Sequence, residues 1–341
     1  MKQKLINILK VVLPLGIGVY LIWYFNNQMT PEDKKYLMSS FGEANYWWIA
    51  LSLVCGFLGI LSRAHRWKYL IDPMGYKISF WNAYHAIMIG YLVNYTVPRA
   101  GEASRAAMLQ RFDNVPFNKS FGTIVAERAI DVLMLGIVCL VALGLEYANL
   151  DTIMDGFANA ANSSGEEESS NLIKYIVYGV IGLVFVVGCV AYIINKGIRE
   201  KINGFIKGLF EGVLSVFRSK NPGGFTLHTL FIWVMYVVMF MVCFQALPQT
   251  ADMPFGGILA GFIAGTLGLM FIPGGIGAYP VAVGVIVTIY LFPNHSEPVH
   301  GSALGIGYII WASQTAMMIL LGLLSLLIKF KHIAKKKDES K

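Results

Sequence analysis

The chain has 341 residues, of which 56% are hydrophobic and 14% are charged, and its mean hydropathy is +0.59. A soluble domain normally carries about 25% charged residues, so this composition excludes an ordinary water-soluble enzyme or binding domain. The net charge of +7 lies mainly in segments between apolar runs, which is typical of a membrane protein and argues against a nucleic-acid partner.

Apolar segments long enough to cross a bilayer recur along the chain. A hydrocarbon core of roughly 30 Å needs about 20 apolar residues in a helix. The first segment resembles a signal peptide, but no small-residue cleavage site follows it, so we interpret it as a retained helix. Full transmembrane helices are predicted at about 5–25, 46–62, 120–146, 172–195, 226–247 and 301–328.

Two further apolar segments, 81–112 and 255–292, are interrupted halfway, at Pro98 and at Pro273. Proline lacks a backbone N–H and disfavours a helical conformation in the residue before it, so the incoming helix should end there. Inside a membrane, irregular backbone is tolerated only where protein buries it or it lines a water-filled cavity. We therefore predict two re-entrant helical hairpins, each returning to the side that it entered from.

The basic residues test this arrangement. If both hairpins are re-entrant, one face holds both chain ends and the segments 63–80, 99–119 and 196–225, with 23 of the 27 Lys and Arg residues. Cytoplasmic loops carry such an excess of Lys and Arg. We therefore predict a multi-pass protein of a bacterial-type cytoplasmic (inner) membrane with both termini in the cytoplasm.

The order of the predicted segments suggests an internal repeat. Residues 1–146 and 172–328 each contain two helices, a hairpin and a further helix, in opposite orientations, which defines an inverted-topology repeat. The alternative is that two broken segments occur in one chain by coincidence. The prediction is thus an all-α polytopic membrane protein, a single domain over 1–341, with about six full transmembrane helices and two re-entrant helical hairpins.

Two connecting regions complete this organisation. Residues 147–171 are acidic and rich in Ser, Asn and Gly, which predicts a flexible external linker between the halves. In residues 198–218 the apolar positions share one helix face and basic residues surround that face. This pattern predicts an amphipathic helix on the cytoplasmic leaflet. A helix that binds a partner protein is the alternative for that segment.

The turn of the first hairpin is the strongest candidate site. Gly101 permits a tight turn, and a new helix should start there with its free N–H groups and positive dipole end exposed. Arg99 and Arg105 add donors suited to two phosphate or carboxylate oxygens. This set predicts an anionic ligand, most naturally a lipid phosphate, with Glu102 included in the site. The alternative is that Glu102 and Arg105, three residues apart, form a local ion pair.

A second charged group, Glu127, Arg128 and Asp131, falls about two turns into a predicted span. Ionisable groups at that depth would be costly against lipid, so they should face the protein interior or a cavity. Arg128 and Asp131 are spaced to pair on one helix face. One hypothesis is an ion-pair network that joins Glu127 to Arg99 or Arg105. The other is that Glu127 is a carboxylate that couples proton movement to transport.

The turn of the second hairpin carries no charge. Its glycines, Gly274, Gly275 and Gly277, allow close backbone approach, and their N–H groups are suited to an anion nest. Tyr279 is a candidate hydrogen-bond donor to a headgroup, with Trp311, Ser313 and Gln314 of the last span nearby if the repeat holds. The alternative is that the glycines only let two hairpins pack tip to tip.

Other residue types predict no reactive centre. The histidines are scattered without metal-ligand spacing, and the cysteines all fall in apolar segments, so neither a metal nor another cofactor is expected. Four tryptophans lie near predicted span ends and are interpreted as interfacial anchors rather than a sugar-stacking site. These tryptophans are Trp47, Trp48, Trp67 and Trp81.

Three short motifs give the chain a resemblance to a known family. They are Pro-Arg-Ala-Gly-Glu-x-x-Arg at 98–105, Glu-Arg-x-x-Asp at 127–131 and Pro-Gly-Gly-x-Gly at 273–277. In this order, on this hydropathy profile, they resemble the transmembrane flippase domain of lysylphosphatidylglycerol synthases and its stand-alone relatives. The resemblance implies lipid translocation between leaflets, with the polar turns near the membrane centre.

The chain departs from that family in two ways. Many relatives carry an acid soon after the second turn, whereas Ala278, Tyr279 and Pro280 stand here, so a mechanism with two carboxylates is in doubt. The given sequence also ends at Lys341, so we expect no synthase domain and no synthesis of lysyl lipids by this chain.

The leading hypothesis is a lipid transporter, not an enzyme, that moves an anionic or lipid-linked headgroup between leaflets. Membrane lipids are then its partners, and the oligomeric state is left open. Three alternatives remain: a non-catalytic partner of a cell-envelope lipid enzyme, a small-solute secondary transporter, and a membrane-embedded transferase or phosphatase. The last class needs a nucleophile or metal cluster, and the sequence suggests neither.

Overall fold

The computed structural model describes residues 2–97, 100–161, 192, 194–200, 203–204 and 221–338. The predicted span 172–195 and the predicted amphipathic helix 198–218 therefore lie largely outside the described residues. All regular structure in the described part of the chain is helical, as the sequence predicted.

The described helices are joined by short loops and 3₁₀ turns. They are α1 (Lys2–Gln28), α2 (Pro31–Glu43), α3 (Tyr46–Ile71), α4 (Phe80–Thr96), α5 (Gly101–Asp113), α6 (Phe117–Glu146), α7 (Leu150–Ala161), α8 (Pro222–Cys243), α9 (Phe255–Phe271), α10 (Ala278–Leu291) and α11 (Gly301–Asp338).

Among the described residues, four helical segments are long and apolar enough to cross a membrane, which makes the chain a multi-pass membrane protein. They correspond to four of the six predicted spans. The first predicted span forms helix α1 but is not among these four segments. The four segments are Tyr46–Met74, Phe117–Ala158, Pro222–Ala246 and Gly301–Lys329.

Both interrupted segments fold as antiparallel helical hairpins. In the first, the side chain of Asn82 at the start of α4 donates to that of Asp113 at the end of α5, at 2.7 Å. At the other end, Asn94 accepts a hydrogen bond of 2.7 Å from the backbone N–H of Gly101. Helices α4 and α5 have 17 and 13 residues, or about 26 and 20 Å, which is too short to cross the hydrocarbon core.

The second hairpin is built in the same way from α9 and α10, which have 17 and 14 residues. Each incoming helix ends in an extended residue immediately before a proline: Val97 has φ −130° and ψ 102°, and Ile272 has φ −114° and ψ 123°. The prolines therefore end both helices as predicted. Gly268 packs against the backbone of Ala278 across the second hairpin, where an added Cβ would lie 3.0 Å away.

The two hairpin tips contact each other. A Cβ placed on Gly274, in the second turn, would lie 3.5 Å from the ring of Tyr95, at the end of α4. Trp311 of α11 donates a hydrogen bond of 2.7 Å to the carbonyl oxygen of Gly274. The sequence had placed Trp311 near this turn, and that placement is confirmed.

Helices α3 and α8, the counterparts in the predicted repeat, pack antiparallel along their length. The hydroxyl of Ser52 donates to the carbonyl of Met239 at 2.8 Å, and that of Ser62 lies 2.8 Å from Nδ1 of His228. Antiparallel counterparts are what an inverted repeat requires.

Three parts of the chain differ from the sequence-based expectations. Helix α3 continues to Ile71, so residues 63–71, assigned to a cytoplasmic loop, are helical and largely buried. Trp67 is fully buried and is not an interfacial anchor. The first part of the predicted linker forms a 3₁₀ turn and helix α7.

Helix α1 packs against the second turn through a single glycine. A Cβ on Gly18 would lie 2.3 Å from the carbonyl oxygen of Ile276, and one on Gly277, where φ is +73°, would lie 2.2 Å from the carbonyl oxygen of Gly18. Small residues allow this kind of close approach between membrane helices.

This contact gives a prediction with a matched control on the same helix. Gly18→Ala should lower the free energy of unfolding by about 1–3 kcal/mol, because the added methyl group must push α1 away from backbone atoms. Gly16, one of several glycines with no atom within 4 Å of a built Cβ, should accept alanine without loss. Denaturant unfolding in detergent measures both variants. Equal effects at the two positions would contradict the observed packing of α1.

Candidate functional site

A buried network of ion pairs joins α3, α5 and α6 beside the first hairpin turn. Asp131 of α6 lies at its centre, with one oxygen 2.9 Å from Nη1 of Arg63 and the other 3.3 Å from Nη2 of Arg66. Arg128 lies 3.6 Å from the same carboxylate, the pairing predicted from the sequence. Arg66 is fully buried and Arg63 is 3% exposed, so these charges are removed from solvent.

The network extends to the first hairpin through Arg105. An Nη1 atom of Arg105 lies 2.6 Å from Glu127, and Nε of Arg66 lies 3.7 Å from the other oxygen of that carboxylate. The predicted link between Glu127 and Arg105 is confirmed. Glu102 instead contacts Arg128, at 3.1 Å. The local Glu102–Arg105 pair considered above does not form, because both side chains reach across to α6.

Arg105 is held from two sides. Its guanidinium carbon lies 3.7 Å from the centroid of the Trp67 ring, a cation–π contact. Trp67 is fixed in turn, because its Nε1 donates to the hydroxyl of Thr123 at 2.8 Å. Nε and Nη2 of Arg105 are buried and form no hydrogen bond within the described chain. They remain as donors for a further acceptor.

The network carries unequal charge. Its ion pairs join four arginines to three carboxylates, so these seven side chains sum to one positive charge. A buried net charge is costly unless an opposite charge accompanies it. The arrangement therefore favours an anion. The side chains are Arg63, Arg66, Arg105, Arg128, Glu102, Glu127 and Asp131.

A small cleft opens onto this network at the first turn. Arg105, Arg128 and Glu102 line one side, and Asn94 and Tyr91 of α4 line the other. The N-terminus of α5 begins at Gly101, so its positive dipole end adds to the arginines. Arginine donors, a helix N-terminus and net positive charge suit a phosphate or carboxylate group.

The second turn has a different environment. Gly275 and Gly277 are buried, and Gly274 is half-buried. All three have positive φ values, as the turn requires. Tyr279 is 6% exposed and packs in the apolar core against Gly265. These contacts match the alternative of close packing at the hairpin tips, and they add no charge to the site.

A larger cavity of about 870 Å³ lies between α1, α6, α7, α9 and α10. Its described lining is almost wholly apolar and includes Leu267, Phe271 and Val285. Glu146 is the one charged residue in that lining. The cavity therefore does not suit an anionic group, in contrast to the small cleft.

The structure brings together most of the predicted charged residues and adds two. Glu102, Arg105, Glu127, Arg128 and Asp131 belong to one network, whereas Arg99 lies outside the described residues. Sequence analysis missed Arg63 and Arg66, which it had counted as loop charges. Their spacing of three was a usable signal, because it places both on one helix face once α3 is extended.

Comparison with known proteins shows which family and which proteins this sequence resembles. The family model described as the lysylphosphatidylglycerol synthase TM region matches residues 11–322. The glycosyltransferase AglD of Haloferax volcanii is 26% identical over 285 residues, which cover 75% of this chain and 45% of AglD. The chain thus spans less than half the length of that relative.

Two further relatives are named only as UPF0104 membrane proteins. That of Methanocaldococcus jannaschii is 26% identical over 161 residues, covering 45% of this chain and 41% of the relative. That of Methanothermobacter thermautotrophicus is 19% identical over 276 residues, covering 75% and 78%. No solved structure matches the chain significantly.

Proposed function

The chain belongs to the lysylphosphatidylglycerol synthase TM region family. From that premise we propose that it moves an anionic or lipid-linked headgroup between membrane leaflets. The buried network with one excess positive charge carries this proposal. A membrane protein that only needed a stable core would gain little from burying three arginines. A transporter needs such a site to replace the hydration of a headgroup.

The first turn is the proposed headgroup site. Arg105 offers its two buried, unbonded donors to the headgroup, and Arg128 and Asn94 border the same cleft. Glu102 and Glu127 hold the two arginines in place through ion pairs of 3.1 and 2.6 Å. The apolar chains of the lipid remain in the bilayer while the headgroup passes through.

The contact between the hairpin tips is the proposed barrier. Tyr95 and Gly274 close the path between the two turns, and neither contributes a charge that would hold them together. Opening this contact towards alternate sides would give alternating access, as expected when two inverted repeats move relative to each other. We also propose that both termini lie in the cytoplasm.

Leaflet exchange in vesicles tests the function. Purified protein should accelerate the exchange of a fluorescent phospholipid with a phosphate headgroup. Arg105→Gln should slow exchange about tenfold, equivalent to about 1.4 kcal/mol, because the amide cannot replace the charged donors. An unchanged rate in this variant, or no exchange with any of a panel of anionic and lipid-linked substrates, would contradict the proposal.

Arg111→Gln is the matched control. Arg111 lies on the same helix, α5, but is exposed and near its C-terminal end. The same change of charge there should leave the exchange rate within experimental error. A similar loss at both positions would indicate a general effect of net charge and not a headgroup site.

An enzymatic role is the second candidate, because AglD carries the name of a glycosyltransferase. The chain would then be a glycosyltransferase, or a non-catalytic membrane partner of such an enzyme. A lipid product formed by the purified chain would favour the first. Co-purification with an enzyme, without autonomous lipid exchange, would favour the second.

A further inference from the structure

A second polar cluster lies far from the arginine network, where the start of α2 meets the loop before α11. Asp33, His295 and His300 each direct one ligand-type atom to the same point, and these atoms all lie within 4.8 Å of one another. Sequence spacing gave no hint of this group, because Asp33 is distant in the chain from the two histidines.

The Asp33 carboxylate is fixed before any ligand arrives. One oxygen accepts a hydrogen bond of 2.9 Å from the backbone N–H of Gly301, and the other accepts one of 2.7 Å from the hydroxyl of Thr30. Each carboxylate oxygen has a further lone pair. Metal-binding carboxylates are commonly oriented by such additional hydrogen bonds.

The charge of Asp33 is poorly compensated. The residue is only 1% exposed, and the one described ion-pair partner is His295, whose Nε2 lies 3.3 Å away. That nitrogen is buried and forms no hydrogen bond in the described part of the chain. A buried carboxylate facing an unbonded imidazole nitrogen is favourable when a cation binds both.

The separation of the two atoms suits a metal ion. Ligands placed about 2.0–2.2 Å from a tetrahedral zinc ion lie roughly 3.3–3.6 Å from one another. The 3.3 Å between His295 Nε2 and Asp33 Oδ1 falls within this range. The pair can therefore bind one ion with little movement.

His300 is held as a third ligand. Its ring stacks on Phe292 with centroids 3.8 Å apart, and its backbone N–H donates to the hydroxyl of Thr288 at 3.0 Å. Metal binding requires a neutral imidazole ring with a free nitrogen lone pair. Nδ1 of His300 accepts a hydrogen bond of 3.2 Å from the backbone N–H of Ser302.

We propose that Asp33, His295 and His300 bind a divalent transition metal of the zinc type, with a fourth position left to water or another ligand. Two imidazoles and one carboxylate are a common zinc ligand set, whereas magnesium and calcium prefer oxygen ligands. The ion would tie the start of α2 to the loop before α11 and stabilise that end of the protein.

Zinc titration of the full-length protein tests this site. The protein, in detergent with any affinity tag removed, is dialysed against a chelator, and bound zinc and the thermal midpoint are then measured. We expect one zinc ion per chain and a midpoint that rises with zinc but not with magnesium. Failure to bind zinc saturably would overturn the proposal without affecting the proposed lipid site.

Two substitutions locate the ion. His295→Ala should weaken zinc binding at least tenfold, because it removes one of the three ligands. His300→Ala should weaken binding similarly. His85→Ala is the control, since His85 contacts Ser325 at 3.0 Å, away from the cluster, and it should retain full affinity. Unchanged affinity in both cluster variants would assign the bound zinc to another place.

Discussion

Asp131→Ala should lower the free energy of unfolding by about 3–5 kcal/mol, the range measured when one partner of a buried ion pair is removed. Asp131 contacts Arg63, Arg66 and Arg128 at 2.9, 3.3 and 3.6 Å. Its loss leaves Arg66 with Glu127 as its carboxylate partner and removes the carboxylate that pairs with the buried Arg63. The change is measured by unfolding the protein with rising concentrations of a denaturing detergent and following circular dichroism.

Glu102→Ala is the matched control, because it removes a carboxylate from the outer part of the same network. Glu102 and Arg128 have side chains that are 31% and 44% exposed, against 11% for Asp131. An ion pair this accessible contributes about 0–1 kcal/mol. Comparable losses in the two variants would show that burial does not determine the strength of this network.

Gly101→Val should have the second largest effect, a loss of about 3 kcal/mol together with loss of lipid exchange. A Cβ on Gly101 would lie 2.3 Å from the carbonyl oxygen of Gly90 and 2.5 Å from the side chain of Asn94. Valine adds two further methyl groups to this contact. The two helices of the first hairpin must then separate, at the cost expected for an overpacked core or more, and Arg105 moves with α5.

Gly122→Val provides the comparison for this variant. Gly122 lies in α6, and a Cβ there meets no atom within 4 Å. The substitution should leave both stability and lipid exchange nearly unchanged. Unfolding measurements and the vesicle assay are made on the same two preparations. A stable, active Gly101→Val protein would contradict the close contact of α4 with α5.

The contacts of Glu127 agree with both hypotheses for its role, the structural ion pair and the coupling carboxylate. The ion pairs with Arg105 and Arg66 make it a structural partner of the site. A carboxylate between two arginines, beside the proposed headgroup site, would also respond to a bound headgroup. Glu127→Gln separates these roles, since a coupling carboxylate predicts exchange that no longer depends on a proton gradient.

The sequence by itself determined the membrane class, the helical composition and both hairpins. These features follow from local physical chemistry: apolar run length sets the helices, and Pro98 and Pro273 end them. The resemblance in three short motifs was likewise sufficient to identify the family, which the match over residues 11–322 confirms. The predicted membrane orientation and repeat rest on the distribution of charge and on segment order.

Tertiary structure alone brought two further arginines, Arg63 and Arg66, into the charged network. Arg63 and Arg66 look like loop residues in a linear sequence, because a basic residue just beyond an apolar run normally marks the membrane surface. They are buried because α3 continues past the apolar run and because α6 presents two carboxylates to it. Asp33, His295 and His300 also come together only through the packing of segments that are distant in the chain. Contacts between distant segments depend on how helices pack, and no local pattern encodes that.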